Sequence, residues 1–110
     1  MTDLKQLQKA VYDNKVAHNF NVTDINEEFC LLYGEVGEAY RAYLSKTKED
    51  FAEELADIAI YLLGLAEITG VDLESEILRK MEKNRKRVYR RLENGVLVKV
   101  EDAENEEETK

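Results

Sequence analysis

Two pairs of acidic residues in the middle of the chain have a spacing that could bind a metal ion. Glu35 and Glu38 form one pair, Glu54 and Asp57 form the other, and three positions separate the members of each pair. On a helix, this spacing points both carboxylates of a pair the same way. The polar stretch 45–48 predicts a turn between antiparallel helices, which would bring the four carboxylates to one level. Their mutual repulsion favours a bound cation, and their hard oxygen atoms favour Mg²⁺.

A competing interpretation is that these acids lie on solvated helix flanks, because 24 of the 110 residues are acidic. Their positions on the helical wheel argue against it. The first pair falls within an apolar stripe that includes Leu31 and Ala39, and the second falls within one that includes Ile58 and Leu65. Acids that only face water should avoid such stripes, so the metal site is the favoured hypothesis.

The composition predicts an all-α fold, an antiparallel bundle of about four helices. The chain has no proline and five glycines, and helix-forming residues dominate it. We expect a single domain over residues 1–100, near the size at which small folds seek additional burial from a partner. Residues 101–110 include six acids, which predicts a disordered acidic tail.

Charge and the remaining sequence argue against several classes of protein. A net charge of −8 makes the chain a poor general nucleic-acid binder. Cys30 is the only cysteine, and we expect a buried or partly buried, inert thiol. Residues 1–5 show no signal-peptide pattern, and the longest apolar stretch is too short to span a bilayer. A cytoplasmic protein without a membrane partner is the expectation.

Polar residues and a glycine mark the predicted helix ends. The first helix begins near Asp3, and Thr23 is the expected N-cap of the second. Thr47 should cap the third helix, which Gly70 should end as a C′ glycine. Asp72 can cap the fourth.

The third predicted helix is apolar on nearly every side. The residues responsible are Leu55, Ala59, Ile60, Leu63 and Ala66. A small monomer cannot easily bury all of these faces. The surplus predicts a subunit interface, and a helix central to a larger monomer core is the alternative.

The fourth predicted helix is strongly basic and should end at Asn94-Gly95. Its apolar stripe consists of Leu73, Ile77, Met81, Val88 and Leu92. Asn84 falls inside this stripe, with Lys80, Arg87 and Arg91 at one side. A solvated face is the usual interpretation of such a run, whereas an inward amide beside three cations predicts an anion site. Residues 96–100 alternate like a short strand, for which the sequence offers no partner strand.

The acidic residues and their surroundings resemble the MazG-like, all-α nucleoside triphosphate pyrophosphohydrolases, whose signature is E-x-x-E, a spacer and E-x-x-D. The segments Leu-Tyr-Gly-Glu-Val-Gly-Glu-Ala and Glu-Glu-Leu-Ala-Asp-Ile-Ala-Ile-Tyr-Leu-Leu are similar to the family's local sequence. Downstream, Lys80, Lys83-Asn84 and Arg87 are similar to its phosphate-contacting segment. The resemblance covers about residues 4–92.

This resemblance implies hydrolysis of a (deoxy)nucleoside triphosphate between its α- and β-phosphates, giving a nucleoside monophosphate and pyrophosphate. It implies that Glu35, Glu38, Glu54 and Asp57 bind Mg²⁺, for which Mn²⁺ can substitute, and that one Glu also orients the attacking water. It further implies a homodimer or homotetramer. The four acids would then be both metal ligands and catalytic residues.

Two further sets of residues are expected to contact the nucleotide. The phosphates would be bound by Lys80, Asn84 and Arg87. The base would be bound by an amide, an imidazole and an aromatic ring at the end of the first helix, from Asn14, His18 and Phe20. For His18, the competing interpretation is a hydrogen-bonded histidine at the edge of the core.

Two alternatives to this function stay open. Phosphoribosyl-ATP pyrophosphohydrolases and dimeric dUTP/dCTP hydrolases share the same helical plan, so the resemblance leaves the substrate undecided. A non-enzymatic alternative is a helical oligomer that acts as an interaction module. Magnesium-dependent release of pyrophosphate from a panel of triphosphates separates the enzyme from the module.

Overall fold

The computed structural model of this chain describes residues 2–45 and 47–102. They form four helices and two strands: α1 (Leu4–Ala17), α2 (Ile25–Ser45), α3 (Lys48–Thr69), α4 (Leu73–Arg85), β1 (Arg87–Arg91) and β2 (Leu97–Asp102). The predicted all-α class with about four helices is confirmed, and within the first unit α3 packs against both α1 and α2. Within these two ranges, no helix is long and apolar enough to cross a membrane. The contacts divide the chain into two units, Met1–Glu74 and Ser75–Lys110.

Most of the helix ends in the first unit are those that the sequence predicted. Asp3 forms a capping box for α1, because its Oδ1 accepts from the backbone N–H of Gln6 at 2.7 Å and Gln6 Oε1 accepts from the N–H of Asp3. Thr47 caps α3, and Gly70 follows it in the left-handed conformation at φ 75°. For α2 the predicted cap was one residue early: Asp24, not Thr23, accepts from the N–H of Glu27.

The core of the first unit lies where α3 packs against α1 and α2. Its most buried apolar residues are Ala39, Ala42, Leu63, Leu65 and Ala66. α1 passes over Gly64 of α3 at ordinary contact distance, because a Cβ there would lie 3.4 Å from Cδ of Lys15 and 3.6 Å from Cγ1 of Val11. Gln8 fastens α1 to the turn before α4: its Nε2 donates to the carbonyl of Val71 at 2.7 Å, and its Oε1 accepts from the N–H of Leu73.

The surplus apolar surface of α3 is smaller than the sequence predicted. Leu63 and Ala66 are buried within a single chain, so they cannot form a subunit interface. Leu55 and Leu62 are nearly half exposed, at 47% and 44%. The third helix thus has a core face and a separate exposed apolar face.

The second unit corrects the predicted fourth helix. The helix α4 ends at Arg85 and does not continue to Leu92, since β1 follows it and pairs antiparallel with β2. The strand predicted without a partner therefore has one. Gly95 supplies the turn at φ 89°, and the Leu92 N–H donates to the carbonyl of Val96 at 2.8 Å. This Asn-Gly turn is a hairpin signal that outweighs the helix propensity of the basic residues before it.

Two other expectations concern single segments. Cys30 is exposed on α2, so the prediction of a buried or partly buried thiol was wrong; the apolar core of α2 lies on its other side, at Ala39 and Ala42. The strand β2 takes in the first two residues of the predicted acidic tail. The remaining tail, residues 103–110, lies outside the described residues.

Candidate active site

The structure brings together three of the four predicted acids. Glu35 and Glu38 extend from α2 and Glu54 from α3, and each offers a carboxylate oxygen that lies within 4.8 Å of the other two. The i, i+3 spacing on α2 and the short connection between α2 and α3 produce this arrangement, as the sequence predicted. We refer to Glu35, Glu38 and Glu54 as the acidic cluster.

Asp57 lies one helical turn beyond Glu54 on α3 and is not part of the acidic cluster. It is close enough for its charge to raise the pKa of Glu35. It also lines the cleft between α1 and α3. Asp57 therefore connects the acidic cluster to that cleft.

The acidic cluster has buried oxygen atoms that nothing in the described chain satisfies. Oε2 of Glu35 and Oε2 of Glu54 are shielded from solvent and have no hydrogen-bond partner among the described residues. Such groups are costly to bury unless something pairs with them. Oxygen atoms from three carboxylates match the ligands that Mg²⁺ and Mn²⁺ prefer. The donor set thus fits a hard divalent cation.

The electrostatics of Glu35 lead to the same conclusion. Its pKa rises from 4.5 to about 7, first because burial disfavours the charged form and then because the protonated carboxyl can donate to Glu54. The charges of Glu38, Asp57 and Glu54 raise it further. A cation bound among these carboxylates would stabilise the ionised form of Glu35 and so lower its pKa.

A cleft of about 400 Å³ between α1 and α3 lies beside the acidic cluster. Its walls are mostly apolar, and they include Leu7, Ala10, Val11, Asn14, Lys15, Phe20, Asp57, Ile60 and Tyr61. Asn14 and Phe20, two of the three residues predicted to contact the base, both line this cleft. Such a cleft, with few polar groups among apolar walls, is typical of small-molecule sites.

His18 does not share this cleft. It is the C-cap of α1 and is exposed, so the prediction that it faces inward was wrong. Its Nδ1 lies 3.0 Å from the carbonyl oxygen of Asn14. Its ring stacks on Phe20, with 5.4 Å between the ring centroids. His18 therefore supports Phe20 from outside the cleft.

Sequence reasoning missed a buried ion pair next to the cleft. Glu28 is fully buried and Lys15 is 8% exposed, and their side chains form a direct hydrogen-bonded ion pair. The second oxygen of Glu28 accepts from Nδ2 of Asn21 at 3.1 Å. The ammonium of Lys15 also lies 5.6 Å from the centroid of the Tyr61 ring. The signal was available, because Lys15 follows Val11 by four residues on the apolar face of α1.

Tyr61 is a second residue that the sequence did not single out for the site. It lies on α3 one turn after Asp57 and lines the cleft. Burial raises the pKa of its hydroxyl, and the charges of Glu35 and Glu28 add to the increase. The hydroxyl therefore stays protonated at neutral pH and is a hydrogen-bond donor.

Asn21 holds the loop that carries Phe20. Its Oδ1 accepts from the backbone N–H of Asp24 at 2.9 Å, and its Nδ2 donates to the Asp24 carbonyl as well as to Glu28. The N–H of Phe20 donates to the carbonyl of Lys15 at 2.9 Å, and Asn19 adopts φ 57°. The buried ion pair and this loop thus belong to one hydrogen-bond network.

The predicted phosphate-binding residues all belong to the second unit. Lys80 and Asn84 lie on α4 and both are exposed, so the prediction that Asn84 faces an apolar core was wrong. Arg87 lies on β1, so the helical wheel that grouped it with them does not apply.

The comparisons with known proteins agree with this architecture. A model of the MazG-like family matches residues 16–102. The dATP/dGTP diphosphohydrolase of Salmonella phage PMBT28 is 37% identical over 70 residues, which cover 54% of this chain and 23% of that protein. The dCTP pyrophosphatase 1 of Bos taurus is 37% identical over 84 residues, which cover 64% of this chain and 50% of that protein. The chain spans half or less of the length of these curated relatives.

A solved structure has a similar fold. It is that of the cyanophage S-2L MazG-like pyrophosphohydrolase bound to dGDP and three catalytic Mn²⁺ ions per active site. The TM-score is 0.67 at 24% sequence identity, and the match covers 91% of this chain and 94% of that chain. This likeness concerns the fold.

Proposed function

This chain belongs to the MazG-like family, and we propose that it is a nucleotide pyrophosphohydrolase. In this proposal it hydrolyses a (deoxy)nucleoside triphosphate between the α- and β-phosphates, in a reaction that depends on Mg²⁺. The observation that carries the proposal is the acidic cluster, whose buried oxygen atoms have no partner in the described chain and lie beside a cleft. The names of two relatives, one for dATP/dGTP and one for dCTP, support the substrate class.

We propose that Glu35, Glu38 and Glu54 hold the metal, with Asp57 as the fourth ligand. Mg²⁺, or Mn²⁺ in its place, would neutralise charge on the phosphate oxygens and lower the pKa of water. One Glu of the cluster accepts the proton of the attacking water. The water oxygen forms a bond to the α-phosphorus, the bond from this phosphorus to the bridging oxygen breaks, and pyrophosphate leaves with the electron pair.

We place the nucleoside in the cleft between α1 and α3. The amide of Asn14 offers a donor and an acceptor to a base edge, and the ring of Phe20 offers a stacking surface. The hydroxyl of Tyr61 is a further polar group on the opposite wall. His18 acts on the base only through Phe20, on which it stacks.

For the phosphates we propose Lys80, Asn84 and Arg87. Their support is chemical: two cations and an amide suit phosphate oxygens, and a guanidinium can bind two of them at once. The basic character of this segment contrasts with the acidic charge of the whole chain.

We also propose that the chain forms a homodimer or homotetramer. Its exposed apolar surface on α2 and α3 includes Tyr40, Tyr43, Leu55 and Leu62. Several large apolar side chains exposed on two packed helices are typical of an interface. Light scattering should give a mass above that of one chain at micromolar concentration, and Leu62→Glu should reduce it. A monomeric wild type would contradict this part of the proposal.

The decisive experiment measures pyrophosphate release from a panel of triphosphates that includes phosphoribosyl-ATP. We expect release in Mg²⁺ and none in excess chelator. Glu38→Gln and Asp57→Asn should abolish turnover, while the metal-free fold becomes no less stable because one repelling charge is removed. Glu53→Gln, an exposed acid on the same helix, is the matched control. Turnover by both variants in chelator would end the proposal, and no release from any substrate would favour an interaction module.

A further inference from the structure

A second cleft opens on the other flank of the acidic cluster. Its volume is about 400 Å³, and Glu38, Arg41, Ser45 and Glu54 line it. Two residues of the acidic cluster thus form part of its wall. The cleft between α1 and α3 instead reaches the site through Asp57, so the acids lie between the two clefts.

The residues of the two clefts and the acids follow a fixed order along α2 and α3. On α3, Glu54 precedes Asp57 by three residues, or ~4.5 Å of helix rise, and Tyr61 follows by four more. On α2, Arg41 follows Glu38 by three residues and Ser45 lies one turn further. The two clefts and the acids between them therefore follow one line along α2 and α3, from the aromatic side chains to Arg41, and we refer to this line as the groove.

Arg41 lies near Glu38 and Glu54 but forms no ion pair with either. Arg41 lines the second cleft together with Glu38 and Glu54, and its guanidinium folds back along α2 over Gly37, where a Cβ would lie 3.6 Å from Nη1. Within the described residues, no carboxylate comes within ion-pair distance of it. Elsewhere in the chain, arginines such as Arg79 and Arg85 do pair with a nearby Glu.

We infer that Arg41 binds the β- and γ-phosphates of the substrate, so that the triphosphate lies along the groove with its nucleoside at Asn14 and Phe20. This inference rests on the proposed function. A guanidinium matches two oxygens of a phosphate group at once. When the bond between the α-phosphorus and the bridging oxygen breaks, negative charge grows on the pyrophosphate, and a cation at that end stabilises it.

A simpler role for Arg41 makes opposite predictions. If Arg41 only offsets the negative charge of Glu38 and Glu54, its removal should strengthen Mg²⁺ binding and leave affinity for pyrophosphate unchanged. If Arg41 binds the departing pyrophosphate, its removal should weaken pyrophosphate binding and leave the nucleoside monophosphate unaffected. The two products of the reaction thus report on the two ends of the groove.

The test compares wild type with Arg41→Ala and Arg41→Lys by calorimetry, using inorganic pyrophosphate and a deoxynucleoside monophosphate, each with Mg²⁺. For Arg41→Ala we expect pyrophosphate affinity and kcat/KM to fall by roughly tenfold to a hundredfold, with monophosphate affinity within about twofold. Arg41→Lys should keep the charge but recover only part of the loss, because an ammonium lacks the planar fork. Lys48→Ala, an exposed cation at the start of α3, controls for general charge and should change little.

Three outcomes overturn the inference. They are an unchanged pyrophosphate affinity in Arg41→Ala, an equal loss of both products, and an equal loss in Lys48→Ala. Arg41 is exposed, so its substitution should leave the fold intact, and a matching thermal melt checks this. A wild type that hydrolyses triphosphates while Arg41→Ala behaves identically refutes this inference alone. A wild type without turnover refutes the proposed function, and pyrophosphate binding by wild type and variant still decides the role of Arg41.

Discussion

Glu28 and Glu35 lie seven residues apart on α2, and the protein surrounds them differently. Glu28 is fully buried, and both of its oxygens have partners, in Lys15 and Asn21. Glu35 has a buried oxygen without a partner, and other carboxylates are its neighbours. The chain therefore supplies a cation where a buried acid serves the structure. Among the described residues no cation pairs with Glu35, and in our proposal a metal ion takes that place.

On one helix, Glu28 thus serves the stability of the fold, whereas Glu35 serves the function in our proposal. A buried ion pair is costly to break, because removing one partner leaves the other charge buried alone. A group of repelling carboxylates is instead relieved when one charge is removed. Substitutions in the two places should therefore change the free energy of unfolding in opposite directions.

The largest expected effect comes from breaking the Lys15 and Glu28 pair. Lys15→Met should lower the free energy of unfolding by about 3–5 kcal/mol, because it leaves a charged Glu28 buried. Urea denaturation measures this change. Lys9→Met is the control, since Lys9 is an exposed cation on the same helix and forms only a solvent-exposed pair with Asp13. A loss no larger than that of the control would show that the pair contributes little.

The pH dependence of stability tests the surroundings of Glu35. The unfolded chain ionises Glu35 near 4.5, whereas the metal-free folded protein holds this proton to about 7. Between these values the folded state binds more protons, so the free energy of unfolding falls as pH rises, and the loss is complete above about 7. Glu35→Gln should lack this part of the pH dependence. Urea denaturation in chelator at pH 5 and pH 8 tests it, and parallel curves for wild type and variant would refute it.

The sequence could predict those features that depend on neighbours along the chain. The i, i+3 spacing of the acids, the Thr47 cap and the Gly70 stop are local, and the structure has all of them. The Lys15 and Glu28 pair joins two helices, and a helical wheel drawn for one helix at a time does not show such a contact. The prediction for His18 was wrong for a related reason. The helical wheel continued α1 through His18, whereas α1 ends at Ala17 and His18 is its C-cap.

The hairpin shows a different limit. Residues 86–91 are rich in Lys and Arg, like the helix α4 before them. Nothing in their own sequence reveals that residues 97–102 will pair with them. The free energy of a strand depends on its partner, so a strand is less apparent in a local pattern than a helix is. The Asn94-Gly95 turn was the available signal, and it was interpreted as a helix end.

The basic residues of the second unit extend the comparison from acids to cations. Lys15 neutralises an acid of its own chain, whereas we propose that Lys80 and Arg87 bind the phosphates of a substrate. Alanine at either position should lower kcat/KM by about tenfold to a hundredfold, since a charge-assisted hydrogen bond contributes roughly 1.5–3 kcal/mol. Steady-state kinetics at two salt concentrations measures this.

The matched control for these variants is Arg90→Ala, on the same strand as Arg87. We expect it to stay within a few-fold of wild type. Equal losses in all three variants, vanishing together at high salt, would mean that a diffuse basic surface attracts the substrate without binding it at fixed positions.

The smallest expected effect concerns the choice of base, and it joins the ion pair to the cleft. The Glu28 carboxylate holds Asn21, and Asn21 shapes the loop that places Phe20 in the cleft wall. Because an aromatic contact contributes about 0.5–1.5 kcal/mol, Phe20→Ala should change the ratio of kcat/KM between two bases by about twofold to tenfold. Competition between pairs of deoxynucleoside triphosphates measures that ratio.

His18→Ala separates contact with the base from support of the loop. His18 stacks on Phe20 but lies outside the cleft, so its loss should change the ratio less than Phe20→Ala does. If both variants lower every rate equally and leave the ratio unchanged, Phe20 closes the cleft without selecting the base. The Lys15 and Glu28 pair would then stabilise the fold and have no part in specificity, and base selection would have to come from Asn14 or Tyr61.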